Sequence, residues 1–467
     1  VKKTPLAIAL TLLSLSSAFA QDPETRLALK RRYIAPEEPL VQQRLAAWED
    51  LKFGMFIHWG AYSVAGVVES WSIAPEPYPF AMKARQERGM SYNEWRDFYN
   101  NLYRSFNPAR FDPEKWAEAA EYAGMKYMVF TTKHHDGFCM FDTKATDYKI
   151  TNPDCPYSRA AEPDIAKAIF NAFRNRGIKP GAYFSIADWH HQDFWWDFFP
   201  PYSIKINYPV KDYPEKWERF GNFVVQQLDE LAGGEYGPLE MLWFDQCIST
   251  DDFSAIVPWD RMAEVARTNQ PGIMMVARAT GNKYENFKTP EQTVPDAPLP
   301  YPWESCITMT DSWSHKPGAT YKSTRDILGI LVKVVSRGGS LLLNVGPAAD
   351  GTLDPEAYER LKEIGDWMKV NSEAIYGTRA WSTCQDGKVC FTCKGEDVYA
   401  FYLADEGEEI PSEISFTGVV PNGKVKMLGN GKSLKWRQDS DGKVTVSIPQ
   451  SIRRSAPCNH IWCIKVR

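Results

Sequence analysis

The stretch "LEMLWFDQ" puts Asp245 directly behind an apolar run. A buried strand would hold that carboxylate rigidly, where it can attack an electrophilic carbon or stabilise an oxocarbenium-like transition state. Standing alone, such a residue also reads as a helix N-cap or a loop turn. Downstream, Glu291 in "KTPEQ" and Glu304 in "PWESC" are candidates for the second carboxyl that glycoside hydrolysis needs as proton donor. A separate cluster, "TTKHHDGFCMFD" at 131–142, sets His134, His135 and Asp136 side by side. Three roles fit it: metal ligands, a proton relay, or hydrogen-bonding groups that grip a polar substrate. Adjacent residues of an extended strand point to opposite faces, so the two histidines cannot ligate one ion without a bend. We therefore expect no metal and no cofactor, with Asp136 orienting a neighbour. Either a local bulge turns both histidines inward or only one of them touches substrate.

From about residue 50 to 350 apolar runs alternate with segments of helical period. "KFGMFIHWG", "KYMVFTT", "KPGAYFSIA", "EMLWFD", "GIMMVAR", "ESCITMT" and "SLLLNVG" read as strands. Between them lie helices such as "PDIAKAIFNAFRNRG", with Asp164 as N-cap and Ile165, Ile169, Ala172 and Phe173 facing inward. Repeated strand-then-helix units imply parallel strands with right-handed crossovers. No G-x-G-x-x-G follows the first strand, which removes the best sign of an open dinucleotide-binding sheet. His58, His134, Asp188, Asp245 and Arg278 each end or closely follow a strand. In a (β/α)8-like, TIM-type barrel those ends converge on one face.

Past residue 375 the pattern becomes short alternating runs separated by "NG", "GNG" and "DG" turns, as in an antiparallel β-sandwich. The expected organisation is a leader over 1–20, a catalytic barrel over 21–374 and a sandwich over 375–467. The leader reading rests on Lys2 and Lys3, the apolar "PLAIALTLLSLSSAFA" and an A-x-A signal at Ala18 to Ala20, and it implies a periplasmic or secreted protein. The formal charge of −5, or −7 without the two leader lysines, leaves no footprint for nucleic acid, and no later run is long enough for a membrane anchor. Nine cysteines, five of them near the C-terminus (Cys384, Cys390, Cys393, Cys458, Cys463), leave room for one or two bridges there, and "CFTC" reads as structural. Aromatic residues make up 13% of the chain, many in loop-like stretches such as "DWHHQDFWWDFFPPY". Rings outside regular elements often line ligand pockets, and sugar C–H faces stack on them.

Taken together, "KFGMFIHWGAYSV", "YMVFTTKHHDGFCMFD", "GAYFSIADWH", "EMLWFD", "TPEQ", "WESCITM" and "GGSLLLNVGPAADGTL" resemble the family 29 α-L-fucosidases over about residues 45 to 380. The resemblance implies a retaining exo-α-L-fucosidase with a barrel followed by a β-sandwich, acting on fucosylated oligosaccharides or glycoconjugates. It implies Asp245 as nucleophile and Glu291 as acid/base, with Glu304 the alternative, and assigns His58, Glu69, Trp71, His134, His135, Tyr183 and Arg278 to the sugar pocket. The residue types agree: the first group of polar side chains can bind three hydroxyls, while Trp71 and Trp313 of "DSWSH" offer an apolar wall to a methyl group. The chain departs from many relatives in having Gln246 where they have glycine, and "SWSH" where they have "SWGY". Two other functions share these features. One is a carbohydrate-binding protein that has lost catalysis, since fold alone does not make an enzyme. The other is a retaining hydrolase of a related sugar such as galactose.

Overall fold

The computed structural model describes residues 31–76, 78–199, 202–245 and 256–466. The expected leader, Gln246 and Cys247 lie outside them. Seven strands, β1 (Phe53–Ile57), β2 (Tyr127–Lys133), β3 (Lys179–Ser185), β4 (Met241–Asp245), β5 (Met274–Ala277), β6 (Glu304–Thr308) and β7 (Ser340–Val345), form one parallel sheet. Its order is β5-β4-β3-β2-β1-β7-β6. These strands are the seven apolar runs of the sequence, buried on both faces as a sheet covered by crossover helices must be.

The barrel closes without a regular eighth strand among the described residues. The chain after β5 turns back so that Glu285 bridges Val276, and then runs beside β6 with bridges Lys288–Trp303 and Glu291–Cys306. The amide of Asn286 donates to Met275 O, and that of Gln292 to Cys306 O. An irregular segment thus occupies the eighth position, and Glu291 sits on it beside Cys306 of β6.

Inside, alternate residues of each strand point at the barrel axis: Phe56, Tyr183, Trp243, Val276, Cys306 and Leu342 pack there. Gly54 shares the inward parity of Phe56, and a Cβ on it would lie 2.6 Å from the Tyr127 ring, so only glycine leaves that ring its place on the barrel floor. Outside, helices pack on the strands. Asp164 caps the helix Ile165–Asn175 by accepting from Lys167 N at 3.0 Å, as expected. The inward set Ile165, Ile169, Ala172 and Phe173 is buried.

The final barrel helix, Pro355–Asn371, leads through a short turn into β8 (Arg379–Asp386). With β9 (Val389–Lys394), β10 (Asp397–Leu403), β12 (Lys426–Met427) and β15 (Ile461–Lys465) it forms a five-stranded antiparallel sheet. A three-stranded sheet of β11 (Glu413–Phe416), β13 (Lys435–Gln438) and β14 (Val444–Ser447) faces it. Phe391 meets Phe416 edge-on across the two sheets at 5.5 Å. The outer face of the larger sheet rests on the barrel, where Trp367 Nε1 donates to Ile461 O at 2.8 Å.

The eight described cysteines are all free, so no bridge forms among those near the C-terminus. Cys390 and Cys393 share strand β9 three residues apart, which points their sulfurs to opposite faces. Cys390 and Cys463 are separated by the intervening strand β10, where both are opposite Phe401. No helix among the described residues is long and apolar enough to cross a membrane.

Candidate active site

Asp245 closes β4 with the same inward parity as Met241 and Trp243, which puts its carboxylate at the C-terminal mouth of the barrel. Its Oδ2 accepts from the Tyr183 hydroxyl at 3.0 Å and lies 3.4 Å from Arg278 Nη1. The other terminal nitrogen of Arg278 pairs with Glu291 Oε2. One guanidinium therefore spans both carboxylates, and its planar fork holds them on one side of the mouth.

The two histidines of "KHHD" lie just past β2, and both turn into the site. A bulge permits this: Thr131 pairs with Tyr183 and Lys133 with Phe184, leaving Thr132 as the extra residue, its hydroxyl spent on Tyr183 O at 2.6 Å. The two imidazole centroids are 4.3 Å apart. His134 lies parallel to the Tyr183 ring at 5.5 Å, and its Nδ1 bonds the Ser70 hydroxyl. Asp136 faces away from the reacting groups. It accepts from Tyr99 OH at 2.7 Å and from Phe138 N at 3.2 Å, and so fixes the turn that carries the histidines.

Two imidazole tautomers follow from the hydrogen-bond chains. Ser185 Oγ donates to Ala187 O at 2.7 Å, so it accepts from His135 Nδ1, also at 2.7 Å. Asn344 Nδ2 donates to Trp313 O, so its Oδ1 accepts from His58 Nδ1 at 2.6 Å. In both rings Nε2 then carries the lone pair. Burial holds both neutral, pushing His58 down to about 3 and His135 to about 4.

Glu69 is buried beside them, its Oε1 accepting from Ser314 N at 2.8 Å, and desolvation raises it to about 8. Its φ of 22° is a strained backbone conformation, kept by bonds between its own amide and Ser314 Oγ at 3.2 Å and between Tyr99 OH and its carbonyl. The serine of "SWSH" thus ties the loop carrying Trp313 to Glu69. Trp313 leans on the His58 ring at 4.9 Å, and Trp71 meets the His135 ring edge-on at 5.6 Å. The three histidines form a buried floor, and Trp71, Asp245, Arg278, Glu291 and Trp313 are its partly exposed rim.

Glu304 is elsewhere. It opens β6 and pairs with Ser340 at the start of β7, on the barrel floor. Both oxygens are taken, one by Tyr127 OH at 2.5 Å and the other by Trp243 Nε1 at 3.1 Å, and burial raises the carboxyl to about 7. Asp188 also serves the frame, paired at 3.2 Å with the buried ammonium of Lys133.

The family description "Alpha-L-fucosidase" matches residues 21–373, and "Alpha-L-fucosidase C-terminal domain" matches 383–467. The chain belongs to the α-L-fucosidase family. This fucosidase-family chain is 30% identical over 451 residues to the plasma α-L-fucosidase of Pongo abelii, covering 91% of each protein. It is 29% identical to the tissue enzyme of Homo sapiens, over 100% of this chain and 98% of that one. Among solved structures, α-L-fucosidase isoenzyme 1 from Paenibacillus thiaminolyticus superimposes with a TM-score of 0.73 at 29% identity, covering 91% of this chain and 99% of its own. The α-fucosidase of Thermotoga maritima in complex with fucose gives 0.71 at 26% identity, covering 92% and 100%. As a member of the family the chain is a glycoside hydrolase.

Several residues of the candidate site were not singled out from sequence: Asn344, Ser70, Ser185, Ser314 and Trp243. Asn344 did carry a signal, a polar residue inside the apolar strand "SLLLNVG". The serines carried none, because their role comes from partners 50 to 245 positions away.

Proposed function

We propose that this α-L-fucosidase removes terminal α-L-fucosyl residues from glycans by double displacement, with Asp245 as nucleophile and Glu291 as acid/base. The observation that carries the assignment is the Arg278 guanidinium bonded to both carboxylates. A carboxyl pair held that closely suits the retaining geometry, in which about 5 to 5.5 Å separates them. An Asp245 oxygen attacks C1 while the bond from C1 to the departing oxygen breaks and Glu291 protonates that oxygen. The ester so formed is cleaved by water, which gives a proton to Glu291 as it attacks C1 and releases the Asp245 carboxylate. Two inversions at C1 amount to retention.

What favours Glu291 over Glu304 is access: Glu304 is buried with both oxygens occupied. The Nε2 atoms of His58 and His135 accept from fucose hydroxyls, His134 and Glu69 complete the polar side, and Trp71 and Trp313 face the C5 methyl. A galactoside would bring an unpaired C6 hydroxyl against that wall, which is costly to desolvate. The leader-like "PLAIALTLLSLSSAFA" supports a periplasmic or secreted enzyme. N-terminal sequencing of the protein recovered from the periplasm or medium should begin near Gln21, and recovery only from cytoplasm refutes export.

The decisive experiment follows turnover of an aryl α-L-fucoside by NMR. The α-anomer should appear first, and Asp245→Asn should abolish turnover. A β-anomer as first product, or an active Asp245→Asn variant, overturns the mechanism. A carbohydrate-binding protein without catalysis would bind fucose and turn over nothing, and an aryl galactoside cleaved faster than the fucoside would reassign the sugar.

A further inference from the structure

Large apolar side chains are left exposed on a soluble surface only where something covers them or they cause no contiguous patch. Beside the candidate site two rings break that pattern together. Tyr78 is the N-cap of the helix Pro79–Glu87, and Phe80 stands in its first turn. They are 36% and 52% exposed, yet their rings lie 5.6 Å apart and within 10° of parallel.

Their position is what gives the pair meaning. Trp71 meets the Tyr78 ring at 6.2 Å and the Phe80 ring at 6.3 Å, edge-on in both cases, and meets the His135 ring at 5.6 Å. The exposed pair is thus one ring beyond the wall of the sugar pocket, and His135 in turn faces Asp245. The mount is firm. Proline begins the helix, Ala81 and Ala84 bury its inner side, and Glu76 Oε1 accepts from Ile204 N at 2.7 Å, fastening this loop to the aromatic insertion that follows β3. A preorganised, exposed aromatic surface at the mouth of a polar pocket is suited to a ring that has an apolar face and polar edges.

We propose that Tyr78 and Phe80 form the binding platform for the leaving group, stacking against the C–H face of the pyranose next to fucose in the glycan. The ligand class is a hexopyranose that carries several axial C–H bonds on one face, as a β-linked galactosyl or N-acetylglucosaminyl residue does. Trp71 then separates two subsites, with fucose on its His135 side and the second sugar on the other. The platform selects among fucosides by the aglycone and leaves bond cleavage to the groups below it. This inference rests on the fucosidase reading above.

The test compares two substrates in wild type, Tyr78→Ser and Phe80→Ala. α-L-Fucosyl fluoride has no sugar aglycone. The second substrate is whichever of the α1,2-galactosyl, α1,3- and α1,4-N-acetylglucosaminyl fucosides the wild type cleaves fastest. Each substitution should lower kcat/KM on the disaccharide about ten-fold, chiefly through KM, and leave the fluoride unchanged, with Phe80→Trp restoring the disaccharide. Phe198→Ala is the control: that ring is 70% exposed, and among the described residues its ring contacts are to Trp196 and Phe199. It should change neither substrate. Equal losses on fluoride and disaccharide would make the pair merely structural, and no loss on either would remove it from substrate binding; both outcomes overturn the platform. A wild type inert to fluoride and disaccharides alike would instead refute the fucosidase reading, and the platform would fall with it.

Discussion

His135 Nε2 stands 3.9 Å from Asp245 Oδ2, too far for a direct hydrogen bond. The ring is neutral and its Nδ1 proton is engaged by Ser185, so the atom facing Asp245 is an acceptor.

Ser185→Ala should therefore act through the orientation of His135. Without the serine the ring can rotate or change tautomer, and kcat/KM on an aryl fucoside should fall about ten-fold, the worth of one hydrogen bond. The melting temperature should move little, and Ser185→Thr should recover most of the activity if its hydroxyl reaches both partners. An unaltered kcat/KM in Ser185→Ala would show that the ring is held by packing alone.

The two glutamates should separate cleanly by chemical rescue. Glu291→Ala should lose activity on an activated aryl fucoside and regain it with azide, which can attack the fucosyl-enzyme where no general base remains. Glu304→Gln keeps the shape of the floor and should retain activity within about ten-fold, with no response to azide. Azide rescue at Glu304 and none at Glu291 would reverse the assignment.

Glu304 also makes a pH prediction. Burial raises its folded-state pKa from 4.5 to about 7, so the stability it contributes is full below pH 4.5 and lost as pH rises through about 7. Glu304→Gln removes this loss. The variant's melting temperature relative to wild type should climb between pH 5 and 8, and a difference independent of pH counts against a buried, protonated Glu304. The histidines act with the opposite sign. His58 and His135 have folded pKa values depressed to about 3 and 4 from 6.5, so their contribution is full above pH 6.5 and is lost as pH falls below it.

Gly137→Ala should be among the more damaging single-methyl changes. Its φ is +82°, and a Cβ there would meet Asp188 Oδ1 at 2.2 Å. Moving that carboxylate disturbs the buried Lys133 pair and the turn that holds both histidines. We expect a loss of about 3 kcal/mol, measured by urea unfolding, together with a strong fall in kcat. A loss under about 1 kcal/mol would mean the turn adapts at little cost.

The barrel and the sandwich were legible in the sequence because both periods are local. A buried parallel strand must be apolar throughout, and the helices between such strands carry a 3.6-residue stripe; these constraints sit within stretches of ten to twenty residues. The same local logic put Asp245 and Arg278 at strand ends. It left Glu291, in a loop-like stretch, and Glu304, at the head of an apolar run, as rivals, and the preference for Glu291 came from the family resemblance. In the structure Glu304 starts its strand and Glu291 lies on the irregular segment that closes the barrel, so one faces the floor and the other the mouth. Strand direction in the closed barrel determines this, and no spacing states it.

By itself the sequence determined the alternation of elements, the family and the residue types of the pocket. Only the tertiary structure decided how the adjacent histidines converge, through a bulge at Thr132, and which imidazole nitrogen His135 and His58 present, through Ser185 and Asn344 respectively. It also decided that one guanidinium holds both carboxylates of the mouth. These are relations among groups tens to hundreds of residues apart. They exist only once the chain has closed on itself, because a hydrogen bond is set by distance and direction in space rather than by position along the chain.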